Sequence, residues 1–104
     1  MKRIAFKMKL HPGREEEYRK RHDELWPDLE KLLKDTGIRE YSIFLDPDTN
    51  SLFGVLKIQD DLLLDTLPAQ PVMKRWWAYM KDIMESNPDN SPVSLPLKEV
   101  FYLP

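Results

Sequence analysis

Two histidines are the only imidazoles in this 104-residue chain, and they sit in unlike surroundings. His11 belongs to His11-Pro12-Gly13, which reads as a turn, where an exposed histidine with no chemical role is the plain expectation. His22 lies four residues after Tyr18 and four before Trp26, so a helix would align the three side chains along nearly one face. An imidazole with an ordinary pKa of about 6.5 gives and takes a proton near neutral pH, which makes His22 the candidate general acid–base group. The same spacing equally describes a histidine that fills and hydrogen-bonds a core, and periodicity alone does not separate the two.

The second concentration of functional side chains is Arg75-Trp76-Trp77 with Tyr79. Indole faces suit the C–H faces of a pyranose and the methyl group of a 6-deoxy sugar, while Tyr, Asn and Asp groups suit its hydroxyls. Successive helical positions diverge by roughly 100°, so one of the two tryptophans is equally well read as filling a core or an interface. Other chemistries lack their residues. No H-E-x-x-H or second helical histidine offers a metal site, and neither metal nor cofactor is expected. Glu15-Glu16-Glu17 reads as a solvated first-turn run that complements the helix dipole rather than a glycosidase carboxylate pair. Three glycines in the whole chain supply no phosphate loop or dinucleotide fingerprint.

These groups need a scaffold to position them. Ile4, Phe6, Met8 and Leu10 alternate with Arg3, Ala5, Lys7 and Lys9, the period of a half-buried strand. From Arg14 the apolar positions take helical spacing through Tyr18, His22, Leu25, Trp26, Leu29, Leu32 and Leu33, with a kink or break expected at Pro27 and Gly37 as terminator. Tyr41–Leu45 and Leu52–Ile58 read as strands joined by the turn-forming Asp46-Pro47-Asp48-Thr49-Asn50. Asp60 or Asp61 is expected to cap a helix that Pro68 and Pro71 interrupt, before a stronger helix over Val72–Met84. Leu97–Leu103, after the Asn87–Pro92 loop, reads as a last strand. The order βαββαβ predicts an α+β, ferredoxin-like antiparallel sheet with both helices on one face.

Such a chain makes one domain, 1–104, and buries only roughly two-thirds of its unfolded surface. The middle strands are apolar on both alternations, with Phe44, Phe53 and Val55 opposite Tyr41, Ile43, Leu52 and Leu56. Two helices cover one face only, so a second copy packed sheet to sheet is expected: a homodimer. Sixteen Lys and Arg against eighteen Asp and Glu give a net charge of −2, no field for gathering nucleic acid. Lys7 and Lys9 interrupt any export-signal core, and no apolar run approaches the roughly 20 residues that would span a bilayer. With no cysteine, the expected compartment is the reducing cytoplasm.

Several segments together, Glu17-Tyr18 through Arg21-His22, Trp26-Pro27, Tyr41-Ser42-Ile43, Arg75-Trp76-Trp77, Asn87–Pro92 and the ending Val100–Pro104, make the chain resemble the L-rhamnose mutarotases in order and spacing. That resemblance implies a dimeric α/β barrel, interconversion of α- and β-L-rhamnopyranose through the open-chain aldehyde in rhamnose metabolism, His22 as proton donor, and Tyr18, Tyr41, Trp76 and Trp77 as sugar contacts. Two alternatives share the expected fold: a dimeric-barrel monooxygenase with His22 in a haem or quinone pocket, and a non-catalytic dimeric ligand-binding module in which His22 and the tryptophans are core.

Overall fold

A computed structural model describes all 104 residues. Strand β1 (Lys2–Lys9) leads into helices α1 (Glu15–Asp23) and α2 (Pro27–Thr36), the hairpin β2 (Arg39–Asp46) and β3 (Ser51–Ile58), a 3₁₀ segment (Asp61–Ala69), helix α3 (Pro71–Met80) and a two-residue strand β4 (Leu95–Pro96). The sheet order is β2-β3-β1-β4 and every pairing is antiparallel. This is the split βαβ arrangement that the element order predicts.

Local chemistry accounts for the breaks. Pro27 does not kink a long helix but starts a new one: it sits at the first position of α2, where its missing amide costs nothing, and Trp26 before it is extended at φ −63°, ψ 130°. Gly37 ends α2 at φ 102°, in the left-handed region open to glycine. The Asp60 carboxylate caps the Leu62 amide at 3.1 Å, and Pro71 opens α3 as Pro27 opens α2.

The core lies between the sheet and the helices. Met8, Leu10 and Leu52 from the central strands meet Leu29 of α2 and Met73, Trp76 and Met80 of α3. A smaller cluster of Ile38, Leu56 and Ile58 continues it toward the far end. Gly54 faces this side and Phe6 lies directly over it, so that a methyl group there would overlap the ring.

Two expectations fail at the C-terminal end. Helix α3 stops at Met80 rather than Met84, because the chain is captured by the end of β1: His11 donates to the Ile83 carbonyl and Glu85 to that of Lys9, at 2.9 and 3.0 Å. The expected strand over Leu97–Leu103 is also absent. Pairing is confined to Leu95 and Pro96, the Leu97 amide makes the last bond to Ala5, and proline's missing donor shortens the ladder. The remaining residues lie across the outer side of β1, with Glu99 ion-paired to Arg3 at 2.9 Å and the Arg3 guanidinium 3.3 Å above the Tyr102 ring.

Candidate active site

Helices α1 and α2 and the edge strand β2 stand apart to leave a cleft of about 800 Å³, within the range of small-molecule sites. Tyr18 and His22 reach it from α1, Tyr41 from β2, and Leu33, Ile43, Leu45 and Leu52 form an apolar floor. Glu15, Arg19 and Asp23 from α1 and Glu30 and Lys34 from α2 give it a charged rim. The α1 members follow from helical spacing, since positions 15, 18, 19 and 22 form one stripe.

Tyr18 is buried and its ring stacks on His22, centroids 4.3 Å apart and tilted 30°. The Nδ1 of His22 lies 2.9 Å from the Tyr18 carbonyl oxygen. A carbonyl only accepts, so Nδ1 carries the proton and Nε2 is left as a free lone pair. Burial lowers the His22 pKa below its ordinary value and outweighs that hydrogen bond and Asp23, which both act in the other direction. The imidazole is therefore neutral at pH 7.

The two phenols shift the opposite way for the same reason. Burial, with the neighbouring Tyr41 phenol as a second contribution, raises Tyr18 far above the usual tyrosine range. Tyr41 is 38 % exposed, yet protein surrounds the ring closely enough to push its hydroxyl up to about 12. Phe6 packs against Tyr41 edge-on, centroids 6.1 Å apart. The cleft thus presents one neutral base and two neutral hydroxyl donors.

The tryptophans are placed differently from one another. Trp76, 6 % exposed, meets His22 edge-on at 5.4 Å and so backs the imidazole from the core side. Trp26 crosses Trp76 at 5.1 Å and stacks on Tyr79 at 5.5 Å. Trp77 is half-buried against the core, and neither it nor Trp76 lines the cleft in the single chain. His11 lies away from the cleft, beside the turn after α3.

Arg21 is a functional-site neighbour that apolar periodicity gives no reason to select. Although charged, it is 9 % exposed: its guanidinium donates to Glu17 at 3.0 Å, to the Tyr79 carbonyl at 2.7 Å and to both Asp82 oxygens at 2.9 and 3.2 Å, and lies 4.3 Å over the Tyr79 ring. It fixes the helix bearing His22 against the end of α3, which bears Trp76.

Fold and site together define a small α+β protein whose cleft, lined by an imidazole and two phenols, is sized for a small molecule. The family model described as L-rhamnose mutarotase matches residues 3–103. An L-rhamnose mutarotase from Brucella anthropi is 57 % identical over 98 % of this chain and 96 % of its own length. One from Rhizobium etli is 58 % identical over 96 % and 94 %. The crystal structure of an L-rhamnose mutarotase from Formosa agariphila superposes with a TM-score of 0.93 at 53 % identity, covering all of both chains. The Mycobacterium tuberculosis protein Rv0793, 13 % identical with a TM-score of 0.56, shares the fold alone. The chain belongs to the L-rhamnose mutarotase family, isomerases that act on a carbohydrate. The relatives support neither the monooxygenase nor the non-catalytic alternative.

Proposed function

We propose that the chain, acting as one domain over 1–104, interconverts α- and β-L-rhamnopyranose with His22 as its proton-transfer group. The observation that carries the mechanism is the Nδ1 contact to the Tyr18 carbonyl, which leaves Nε2 free in a cleft that favours the neutral imidazole. Nε2 takes the proton of the anomeric hydroxyl and returns it to the ring oxygen. Both oxygens are bonded to C1, so one nitrogen serves both. The C1–ring-oxygen bond breaks, the aldehyde rotates, and reclosure on the other carbonyl face by the reverse transfers gives the other anomer. The transient imidazolium is a stronger acid for being buried, which favours the donor half of the cycle. Thus His22 arrives as an acceptor and acts as donor in the same turnover. No net proton is gained or lost.

Tyr18 and Tyr41, neutral throughout the working pH range, hold the sugar hydroxyls, and the apolar floor takes the deoxy carbon. Trp76 and Trp77 remain proposed sugar contacts; Trp76 is the nearer candidate, touching His22 directly. General acid–base transfer supplies roughly 10²–10⁴-fold over the spontaneous reaction.

The homodimer, with its barrel, belongs to the same proposal. It is supported by the open sheet face, where Phe44 is 63 % exposed, and by the strand-like run at the end of the chain, where Val100, Phe101 and Leu103 stand 78–88 % exposed. No helix is long and apolar enough to cross a membrane. A cytoplasmic setting for this rhamnose metabolism fits a chain without cysteine.

The test is magnetisation transfer between the two rhamnose anomers by NMR. Wild-type protein is expected to accelerate exchange and His22→Ala to return it to the spontaneous rate with its far-ultraviolet dichroism intact. Unchanged acceleration in a folded His22→Ala protein rejects the role.

A further inference from the structure

A regular strand sends alternate side chains to opposite faces, so Ile38, Tyr41, Ile43 and Leu45 cannot all share one face of an uninterrupted β2. Yet Ile38 is 5 % exposed and packs with Leu56 and Ile58 beneath the helices, while Tyr41, Ile43 and Leu45 line the cleft on that same side. The ladder shows how. Arg39 pairs with Lys57 and Ser42 with Val55, which leaves Glu40 and Tyr41 together opposite Leu56 alone. One extra residue sits on β2, a β-bulge. Glu40 provides it by adopting φ 48°, in the left-handed region that residues other than glycine rarely enter.

We propose that Glu40 is a positioning residue, whose left-handed conformation switches the face parity of β2 so that Tyr41 meets the sugar instead of the open side of the sheet. The proposal rests on Tyr41 being a sugar contact. Without the extra residue, alignment of Ile43 and Leu45 with the core would leave Ile38 on the outer face, and alignment of Ile38 would turn Tyr41 outward. Both cannot be satisfied by an unbulged strand. The carboxylate is not what matters. Its ion pair to Lys57 at 2.8 Å joins a largely solvated carboxylate to a partly exposed lysine, and such pairs hold a backbone weakly. Backbone conformation at position 40 is the variable, and bulges of this kind re-aim a neighbouring side chain beside an active site.

The experiment compares deletion of Glu40, Glu40→Val and Glu40→Gly in the full chain. Each is measured for rhamnose KM from exchange rates and for tyrosine ionisation by ultraviolet titration. Deletion, with Ile38 kept against Leu56 and Ile58, is expected to turn Tyr41 outward, raising KM roughly tenfold, the factor for one lost hydrogen bond, and bringing one additional phenol down from about 12 toward the ordinary 10. Tyr41→Phe in that background should remove the new transition. Glu40→Val, β-branched and disfavoured at positive φ, should raise KM relative to Glu40→Gly, which adopts that conformation freely. Deletion that leaves both KM and the Tyr41 titration unchanged overturns the proposal. If the deletion variant does not fold, equal KM for Glu40→Val and Glu40→Gly overturns it as well. Failure of the underlying reading looks different: Tyr41→Phe alone would leave KM unaltered, while the phenol titration would still report which face Tyr41 occupies.

Discussion

Replacing Arg21 with methionine removes the contact that sets α1 against the end of α3 while keeping an unbranched chain of similar reach. The lost interactions are charge-assisted bonds to Glu17 and Asp82, the bond to the Tyr79 carbonyl, and the guanidinium over the Tyr79 ring. The Asp82 and Glu17 side chains are 63 % and 40 % exposed, so both carboxylates regain water and no buried charge is stranded. The large penalty of about 3–5 kcal/mol for orphaning a buried ion therefore does not apply. Solvent-screened pairs of this kind contribute up to about 1 kcal/mol, the carbonyl bond about 1, and the cation–aromatic contact roughly 0.5–1. Together they set the cost at roughly 2–3 kcal/mol, or a fall in Tm of roughly 10–20 °C for a chain of this size. Thermal unfolding followed by circular dichroism at fixed protein concentration measures it. A fall of only a degree or two would refute the account, because it would mean that the guanidinium's buried geometry contributes nothing net. Carboxylate titration supplies a second reading: the Arg21 hydrogen bonds hold Asp82 below its ordinary pKa, and the Asp82 carboxylate should move upward in Arg21→Met.

Other perturbations have equally defined outcomes. The folded-state His22 pKa is lowered by burial, so the neutral form is stabilised: this contribution is complete above pH 6.5 and is lost as pH falls through the folded-state value. Anomer exchange should accordingly hold below pH 6.5 and decline only at the depressed pKa, and an acid limb centred above 6.5 would contradict the assignment. Gly54→Ala should force the Phe6 ring off its seat and disturb Tyr41, raising KM and destabilising the fold by about 1–3 kcal/mol, measured by denaturant titration. Trp76→Ala removes a core indole and should cost about 3–5 kcal/mol. The less disruptive Trp76→Phe should keep the fold while altering exchange if the edge contact to His22 matters.

What could be read from residues alone divides along physical lines. Alternation in β1 and the helical stripe of Tyr18 and His22 are legible, because burial on one face leaves a period in the sequence. The β2–β3 pairing follows from their short hairpin, and the rest of the strand order from the βαββαβ succession of elements. The end of the chain misled for the same reason that the middle did not: Val100, Phe101 and Leu103 have the composition of a strand, but no edge in the single chain receives them, and Pro96 ends the pairing before they are reached. Glu40 was invisible because nothing in its side chain announces a left-handed backbone; the bulge is imposed by the ladder with β3 and by the competing demands of Ile38 and Tyr41 for the same face. The burial of Arg21 leaves no such signal, because charge is normally a mark of exposure and only tertiary contacts with Tyr79 and Asp82 make it tolerable.

The protonation states of the cleft follow from a single cause. Burial disfavours charge, which lowers a base and raises an acid, and here it acts on His22, Tyr18 and Tyr41 together. In the proposed mechanism a site that stabilised a standing imidazolium would hold its proton and block the acceptor half of mutarotation; one that stabilised a phenolate would have no proton to donate to the sugar oxygens. Under the proposed role of His22, keeping all three groups neutral leaves charge to appear only between the two proton transfers, on an imidazole whose Nδ1–H is already bonded to the Tyr18 carbonyl and so is steadied when the ring becomes positive. The cleft therefore resists a resting charge at His22 while retaining one acceptor for a passing one, which is the electrostatic requirement of a reaction that begins and ends with the same proton count.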